Sequence, residues 1–294
     1  MAQTCINPFH TPVMDLIRKR KSLRTYERKA VSAEHQESIR NFLSALPEPP
    51  FGTKLRYQWI APGPDDPEML KGLGTYGFIK NPAGYMAAAC ERSEEGLRDF
   101  GYQMENIVLL LTDLGIGSCW LGGTFTKSRF SERMKISEQE WVPAVVSAGY
   151  PAGKPRMFDA WVRKGAGSDK RKPWDELFFG PDFSKTLDAE TVGPLAKMLE
   201  AVRLAPSASN RQPWRILLSD GGDLHFFLQR SGKYEKKAKS AGMLDLQQAD
   251  IGIAMSHFEL TARESWMQGS WIVSDPGIIF APVQARYIVT WKPR

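Results

Sequence analysis

The chain has 294 residues, 42% of them hydrophobic and 11% aromatic, which is material for one large or two ordinary cores. The longest apolar run, Ile107 to Leu111, is closed by Thr112 and Asp113, far short of the ~18 residues a membrane span needs, and the first residues lack the pattern of a secretory signal. Net charge is +6, but Arg18, Lys19, Arg20, Lys21, Arg24, Arg28 and Lys29 face only Glu27, so the excess sits in one run and no broad nucleic-acid or membrane face is indicated.

In chain order, the first feature is that run, where Arg20-Lys21-Ser22-Leu23-Arg24 places three cations and a hydroxyl near an expected helix start, a position suited to an anion. Ser32-Ala33-Glu34 then caps a helix reaching Ala45, with Ile39, Phe42 and Leu43 on one face. After the loop Leu46-Pro47-Glu48-Pro49-Pro50-Phe51-Gly52, Tyr57 to Ala61 reads as a strand. Segment 99–121 carries Met104, Ile107, Leu111 and Leu114 at helical spacing and runs into Ile116-Gly117-Ser118-Cys119-Trp120-Leu121-Gly122-Gly123. Ala144 to Ala148 is β-rich. The stretch 166–185, rich in Gly, Lys and Asp, reads as a linker that includes Lys170-Arg171-Lys172-Pro173-Trp174.

Beyond it, Asp188-Ala189-Glu190 through Ala201 repeats the capped helix, with Leu195, Met198 and Leu199 inward. Ala205-Pro206-Ser207-Ala208-Ser209-Asn210-Arg211-Gln212-Pro213-Trp214 is a helix exit and loop dense in hydrogen-bonding groups. Trp214 to Leu218 and Arg286 to Trp291 read as strands. Segment 250–272 aligns without a gap on 99–121, pairing Asp99 with Asp250, Gly101 with Gly252, Met104 with Met255, Leu109 with Leu260 and Trp120 with Trp271, each 151 positions apart. Agreement of three elements in one order predicts two related α+β halves, 14–165 and 186–294. The halves are complementary: the first has the basic run and no Asn-x-Gln-Pro-Trp, and the second the reverse.

The two displaced motifs together resemble the FMN-dependent nitroreductase family, in a single-chain, fused form. The resemblance implies a nitroreductase-like α+β fold in which the two halves form an intramolecular pseudo-dimer, with one complete flavin site and one dead copy. It implies that Arg20, Lys21, Ser22 and Arg24 hold the flavin phosphate and ribityl chain, Arg being suited to phosphate by its charge-assisted bonds. Trp120, Leu121, Gly122 and Gly123 would lie against the N5 edge, and Arg171 would add a phosphate contact. Pro206, Ser207, Ala208 and Asn210 would face ring and ribityl, Asn210 offering both a donor and an acceptor, while Gln212, Pro213 and Trp214 fix the turn. Lys80 and Asn81 fall near the position of a pyrimidine contact, on a thin local match.

The implied activity is an FMN-dependent NAD(P)H oxidoreductase, ping-pong, with NADPH or NADH as transient donor and a nitroaromatic or quinone-like small molecule as acceptor. No acid–base side chain is required, and the chain is expected to act as a monomer in a reducing cytoplasm. Two other readings remain: a flavin-binding protein without NAD(P)H-dependent activity, and a basic protein that binds nucleic acid or membrane. Cys5, Cys90 and Cys119 suggest neither a disulfide framework nor a metal knuckle, and His10, His35, His225 and His257 share no metal-ligand spacing. Cys119 reads as a small buried residue, and His257, aligned with Asn106, as packing. No Gly-x-Gly-x-x-Gly element follows a strand, so no separate dinucleotide domain is expected.

Overall fold

The computed structural model describes residues 8–63, 66, 68–153, 156–157, 159, 165, 167, 170–181, 183–230, 244–278 and 285–294. Cys5 and parts of the expected linker (166, 168–169 and 182) lie outside them. The chain divides into two compact units, residues 18–167 and residues 1–17 with 168–294.

In the unit 18–167, α2 (Ala33–Ala45) starts as expected, the Ser32 hydroxyl accepting from the His35 amide at 3.2 Å. It is followed by β1 (Leu55–Ile60), β2 (Gly84–Glu91), α3 (Glu94–Asp113), β3 (Gly117–Leu121), α4 (Lys127–Met134), β4 (Glu140–Trp141) and β5 (Val145–Gly149). The strands pair antiparallel in the order β1-β2-β5-β3, with β4 on β2. Strand β2 was not expected. Its Gly-Tyr-Met-Ala-Ala-Ala-Cys sequence is buried throughout, so it shows no inside–outside alternation to read.

Helix α3 is buried from Gly96 to Thr112, so its polar side chains must find partners inside the protein. Asp99 accepts from the Phe51 and Thr53 amides, both at 3.0 Å, and from the Thr53 hydroxyl at 2.9 Å. Gln103 donates to the Pro47 carbonyl at 2.6 Å. The loop between α2 and β1 is thereby fastened to the middle of the helix.

The other unit contains α1 (Val13–Lys19) up to Ile17, a short 3-10 turn (Trp174–Glu176), β6 (Phe178–Phe179), α5 (Leu195–Leu204), β7 (Trp214–Leu218), β8 (Leu224–Gln229), α6 (Leu246–Glu264), β9 (Gly269–Ile272) and β10 (Ala285–Pro293). Its sheet order is β6-β7-β8-β10-β9, with β6 parallel to β7 and the rest antiparallel. Helix α6 is buried from Gln247 to Ala262, and Phe226, Phe258, Trp271 and Trp291 pack edge to face around it. Asp250 accepts from the Ala208 amide at 2.8 Å, fastening the loop between α5 and β7 as Asp99 fastens its own. Apart from α4 and β4 in one unit and β6 in the other, each runs helix, strand, strand, helix, strand, strand, with matching pairing orders β1-β2-β5-β3 and β7-β8-β10-β9.

Two expectations are corrected. The second capped helix does not begin at Asp188. Gly193 at φ +55° and Pro194 interrupt it, α5 starts at Leu195, and the Asp188 carboxylate accepts from Glu190 N in a turn instead. The stretch 166–185 is not only a linker. Leu177 and Phe178 are fully buried and β6 joins the sheet, because three consecutive apolar side chains gain more from the core than the flanking charges cost.

Burial raises both Asp99 and Asp250 above the usual carboxylate range, Asp250 much further because a single amide offsets it and Asp245 adds repulsion. Its Oδ2 is buried without a partner. A raised folded value means that the stability tied to protonated Asp250 is full below the unfolded value of ~3.9 and is lost as pH rises through the folded one. At pH 7, Asp250→Asn should therefore change stability by less than about 0.5 kcal/mol or increase it, whereas Asp99→Asn should lose about 1–3 kcal/mol by orphaning a Thr53 donor. Urea midpoints for the two variants check this, and the reverse ranking would refute it. The Arg56 hydrogen bond holds Glu140 down to about 2. This β1–β4 link should stabilise fully above the unfolded value of ~4.3 and fade as pH falls toward about 2. Melting curves of Arg56→Ala should then converge on wild type at the acid end; a constant difference would contradict the assignment.

Candidate cofactor site

The basic run does not open a helix. It follows the last residue of α1 and continues extended, with the Leu23 amide donating to the Ser118 carbonyl at 2.9 Å and isolated bridges linking Ser22 to Ser118, Thr25 to Lys80 and Tyr26 to Pro151. The cations of Arg18 and Lys19 end α1, where the helix dipole favours them. Two glycines let the run lie this close. A Cβ on Gly117 would stand 2.6 Å from Leu23 Cδ1, and one on Gly149 would stand 2.9 Å from Tyr26 Cβ. Tyr26 anchors the far end, its hydroxyl donating to the Leu23 carbonyl at 2.6 Å and lying 3.0 Å from Ser147 Oγ.

This places Arg20 to Arg24 along β3, the strand that carries Ser118-Cys119-Trp120-Leu121. The Arg20 side chain is only 8% exposed, with Nε 3.9 Å from Oε1 of the fully buried Glu105 and without a hydrogen-bond partner. Glu105 Oε2 accepts the Trp120 indole N–H at 2.9 Å. Lys21 is exposed and Arg24 half-buried, and no carboxylate among the described residues pairs with either. Burial pushes the Cys119 thiol up while Arg24 and Ser22 pull it down, so Cys119 is no poised nucleophile. Leu121 is buried, Gly122 half-exposed and Gly123 exposed with open space where a Cβ would be. Lys80 also belongs beside the run: its amide donates to the Arg24 carbonyl at 2.8 Å, and its carbonyl accepts from the Tyr26 amide at 3.1 Å. Sequence reasoning missed Glu105. The signal was a carboxylate between Met104 and Ile107-Val108 in a core helix, which must be paired.

In the other unit, the second motif leaves α5 as a turn over Ala208–Asn210, and Ser209, Asn210 and, just after the turn, Gln212 all take positive φ, at 52°, 54° and 50°. Such conformations cost about 1 kcal/mol or more each for residues other than glycine, and a dense set of bonds offsets them. The Gln212 amide donates to Ser207 Oγ at 2.9 Å, and Gln212 Oε1 accepts from Lys172 N at 2.8 Å. Asn210 Nδ2 donates to the Lys170 carbonyl at 2.8 Å, and its Oδ1 accepts from Arg171 Nη1 at 3.2 Å. The structure therefore brings Arg171 and Asn210 together.

Both side chains bond within their own unit. The Asn210 amide engages residues 170–171, and Arg171 donates as well to the Leu204 carbonyl at 3.1 Å. Pro206, Ser207 and Ala208 are half-buried, and buried Gln212 fixes the turn as expected. Beneath the loop, burial lowers the Arg215 guanidinium to about 10 while it donates to the Gln212 carbonyl at 3.1 Å. His257 packs with Nδ1 2.9 Å from the Ala201 carbonyl. Among the described residues, no His, Cys, Asp or Glu cluster could hold a metal, and no helix is long and apolar enough to cross a membrane.

The family model described as "Putative TM nitroreductase" matches residues 12–262. A protein of Archaeoglobus fulgidus named "Putative NADH dehydrogenase/NAD(P)H nitroreductase" is 30% identical over 176 residues, which are 55% of this chain and 98% of that one. The crystal structure of a "putative nitroreductase" from Thermotoga maritima superposes with a TM-score of 0.59 at 23% identity, covering 97% of this chain and 94% of that one, a likeness of fold. With the model spanning most of its length, this chain belongs to the nitroreductase family so described.

Proposed function

We propose that the chain is an FMN-dependent oxidoreductase that takes a hydride from NADPH or NADH and passes it to a small oxidised acceptor of the nitroaromatic or quinone class. The observation that carries this reading is the pair of unneutralised cations, Lys21 and Arg24, held with the Ser22 hydroxyl along the strand that ends in Trp120-Leu121-Gly122-Gly123. Family membership supports it, and the Archaeoglobus relative is named for NAD(P)H and nitroreductase together.

The residues fit the group. Lys21 and Arg24 supply charge to a phosphate dianion, Ser22 a hydroxyl donor, and Arg20 a buried Nε still lacking an acceptor. Gly123 leaves room for a flat ring against backbone amides. Bound FMN would supply the hydride-accepting N5 atom, and the chain's own part is binding, orientation and charge.

In this proposal the loop Pro206 to Asn210, braced by Arg171, serves the same flavin as the basic run. The matching element orders of the two units and their complementary motifs support an internal duplication. One flavin per chain, a monomer competent by itself and a cytoplasmic setting complete the reading, with Cys90 and Cys119 as free buried thiols.

Purified chain should be yellow, with about one FMN per polypeptide, and either NADPH or NADH should bleach it. Arg24→Gln should weaken FMN binding about tenfold or more, the loss of one charge-assisted bond of about 1.5–3 kcal/mol. Asn210→Ala should lower flavin content as well, by releasing Arg171 and the turn. Yellow protein that neither nucleotide bleaches would replace this reading with flavin binding alone. A colourless protein whose DNA affinity falls steeply with salt would replace it with a basic interaction role.

A further inference from the structure

We propose that Arg156 is a positioning residue that fixes the backbone of the phosphate-binding run; the proposal rests on the FMN reading above. The guanidinium bonds three separate segments of one unit. Its Nε donates to Thr25 Oγ1 at 2.9 Å, its Nη2 to the Phe78 carbonyl at 2.8 Å and Asp159 Oδ1 at 3.0 Å, and its Nη1 to the Gly77 carbonyl at 3.3 Å. Nη2 also lies 3.4 Å from the Arg24 carbonyl. Thr25 Oγ1 in turn donates to Asp159 Oδ2 at 2.5 Å, closing a ring of three side chains.

The run needs such a clamp. It belongs to no helix or strand, and its register depends on isolated bridges at Ser22, Thr25 and Tyr26. The bridge at Thr25 pairs it with Lys80, at the end of a loop in which Tyr76 and Gly77 take positive φ, 48° and 77°. Without an external tie, neither partner has a conformation that its own sequence favours. Arg156 grips the run and the loop together, beside the bonds that the Tyr26 amide makes to the Lys80 carbonyl and the Lys80 amide makes to the Arg24 carbonyl.

Its charge is already spent. Asp159, whose side chain is 12% exposed, pairs with it at 3.0 Å, so the node adds little net field at Arg24 and Lys21. Arg156 should therefore act on FMN through geometry, whereas Arg24 acts through charge, and salt separates the two because screening weakens only the second.

The test compares Arg156→Gln, Arg156→Lys and Thr25→Val with Arg56→Ala, which removes a different ion pair in the same unit. In flavin-free protein, hydrogen exchange at the Tyr26 and Lys80 amides should accelerate at least tenfold in Arg156→Gln and Thr25→Val and stay near wild type in Arg56→Ala. The FMN Kd of Arg156→Gln should rise about tenfold with an unchanged salt slope, Arg156→Lys should recover part of it, and Arg24→Gln should flatten the slope. Unchanged exchange at both amides would overturn the clamp, as would faster exchange with a Kd within twofold of wild type. Wild-type chain that binds no FMN would instead overturn the functional reading, and the positioning role with it.

Discussion

A carboxylate placed on a helix that is buried along its whole length has to be paired or neutralised, and this requirement organises both units. On α3, Asp99 takes three donors from the loop before β1, and Glu105 takes the Trp120 indole and faces Arg20. On α6, Asp250 takes the Ala208 amide, and Glu259 takes the Trp271 indole at 2.6 Å together with Arg263. In each case a buried acid decides where a surface loop or strand end lies. The segments that would carry the cofactor are thus placed from the core outward.

The pairing differs between units in a way that bears on chemistry. Glu259 finds its cation one helical turn away, at Arg263, so that charge is settled within α6. Glu105 has no such neighbour on α3 and uses Arg20 from the basic run. One of the three cations there is therefore drawn inward as an anchor, and neither Lys21 nor Arg24 pairs with a carboxylate among the described residues.

Much of this was legible in the sequence where local signals and tertiary demand agree. Ser32 caps α2 as its hydroxyl suggests, the Met104, Ile107 and Leu111 spacing marks a core helix, and Trp214 to Leu218 is a strand to the residue. Asp99 and Asp250, aligned in the sequence, each fasten a loop to a buried helix. Failures came where a non-local contact decides. Fully buried β2 has no alternation, Gly193 and Pro194 cut α5 short, and the apolar Leu177 to Phe179 are hidden among charges. The Arg20–Glu105 pair, the Arg156 node and the Arg171–Asn210 bond could not be read from spacing, since the partners lie tens of residues apart in the chain.

The common connectivity of the units, written as two separate stretches of one chain, has an evolutionary corollary. In an assembly of identical copies, every substitution appears in each copy, so a change that helps one position must be tolerated at its twin. Here the twins are independent. Glu105 and Glu259 could acquire unlike cations, and the loop at Leu46 to Gly52 could diverge from the loop at Ala205 to Pro213 without either change echoing in the other. Two units of like connectivity, each with its own sequence, are thereby free to divide labour.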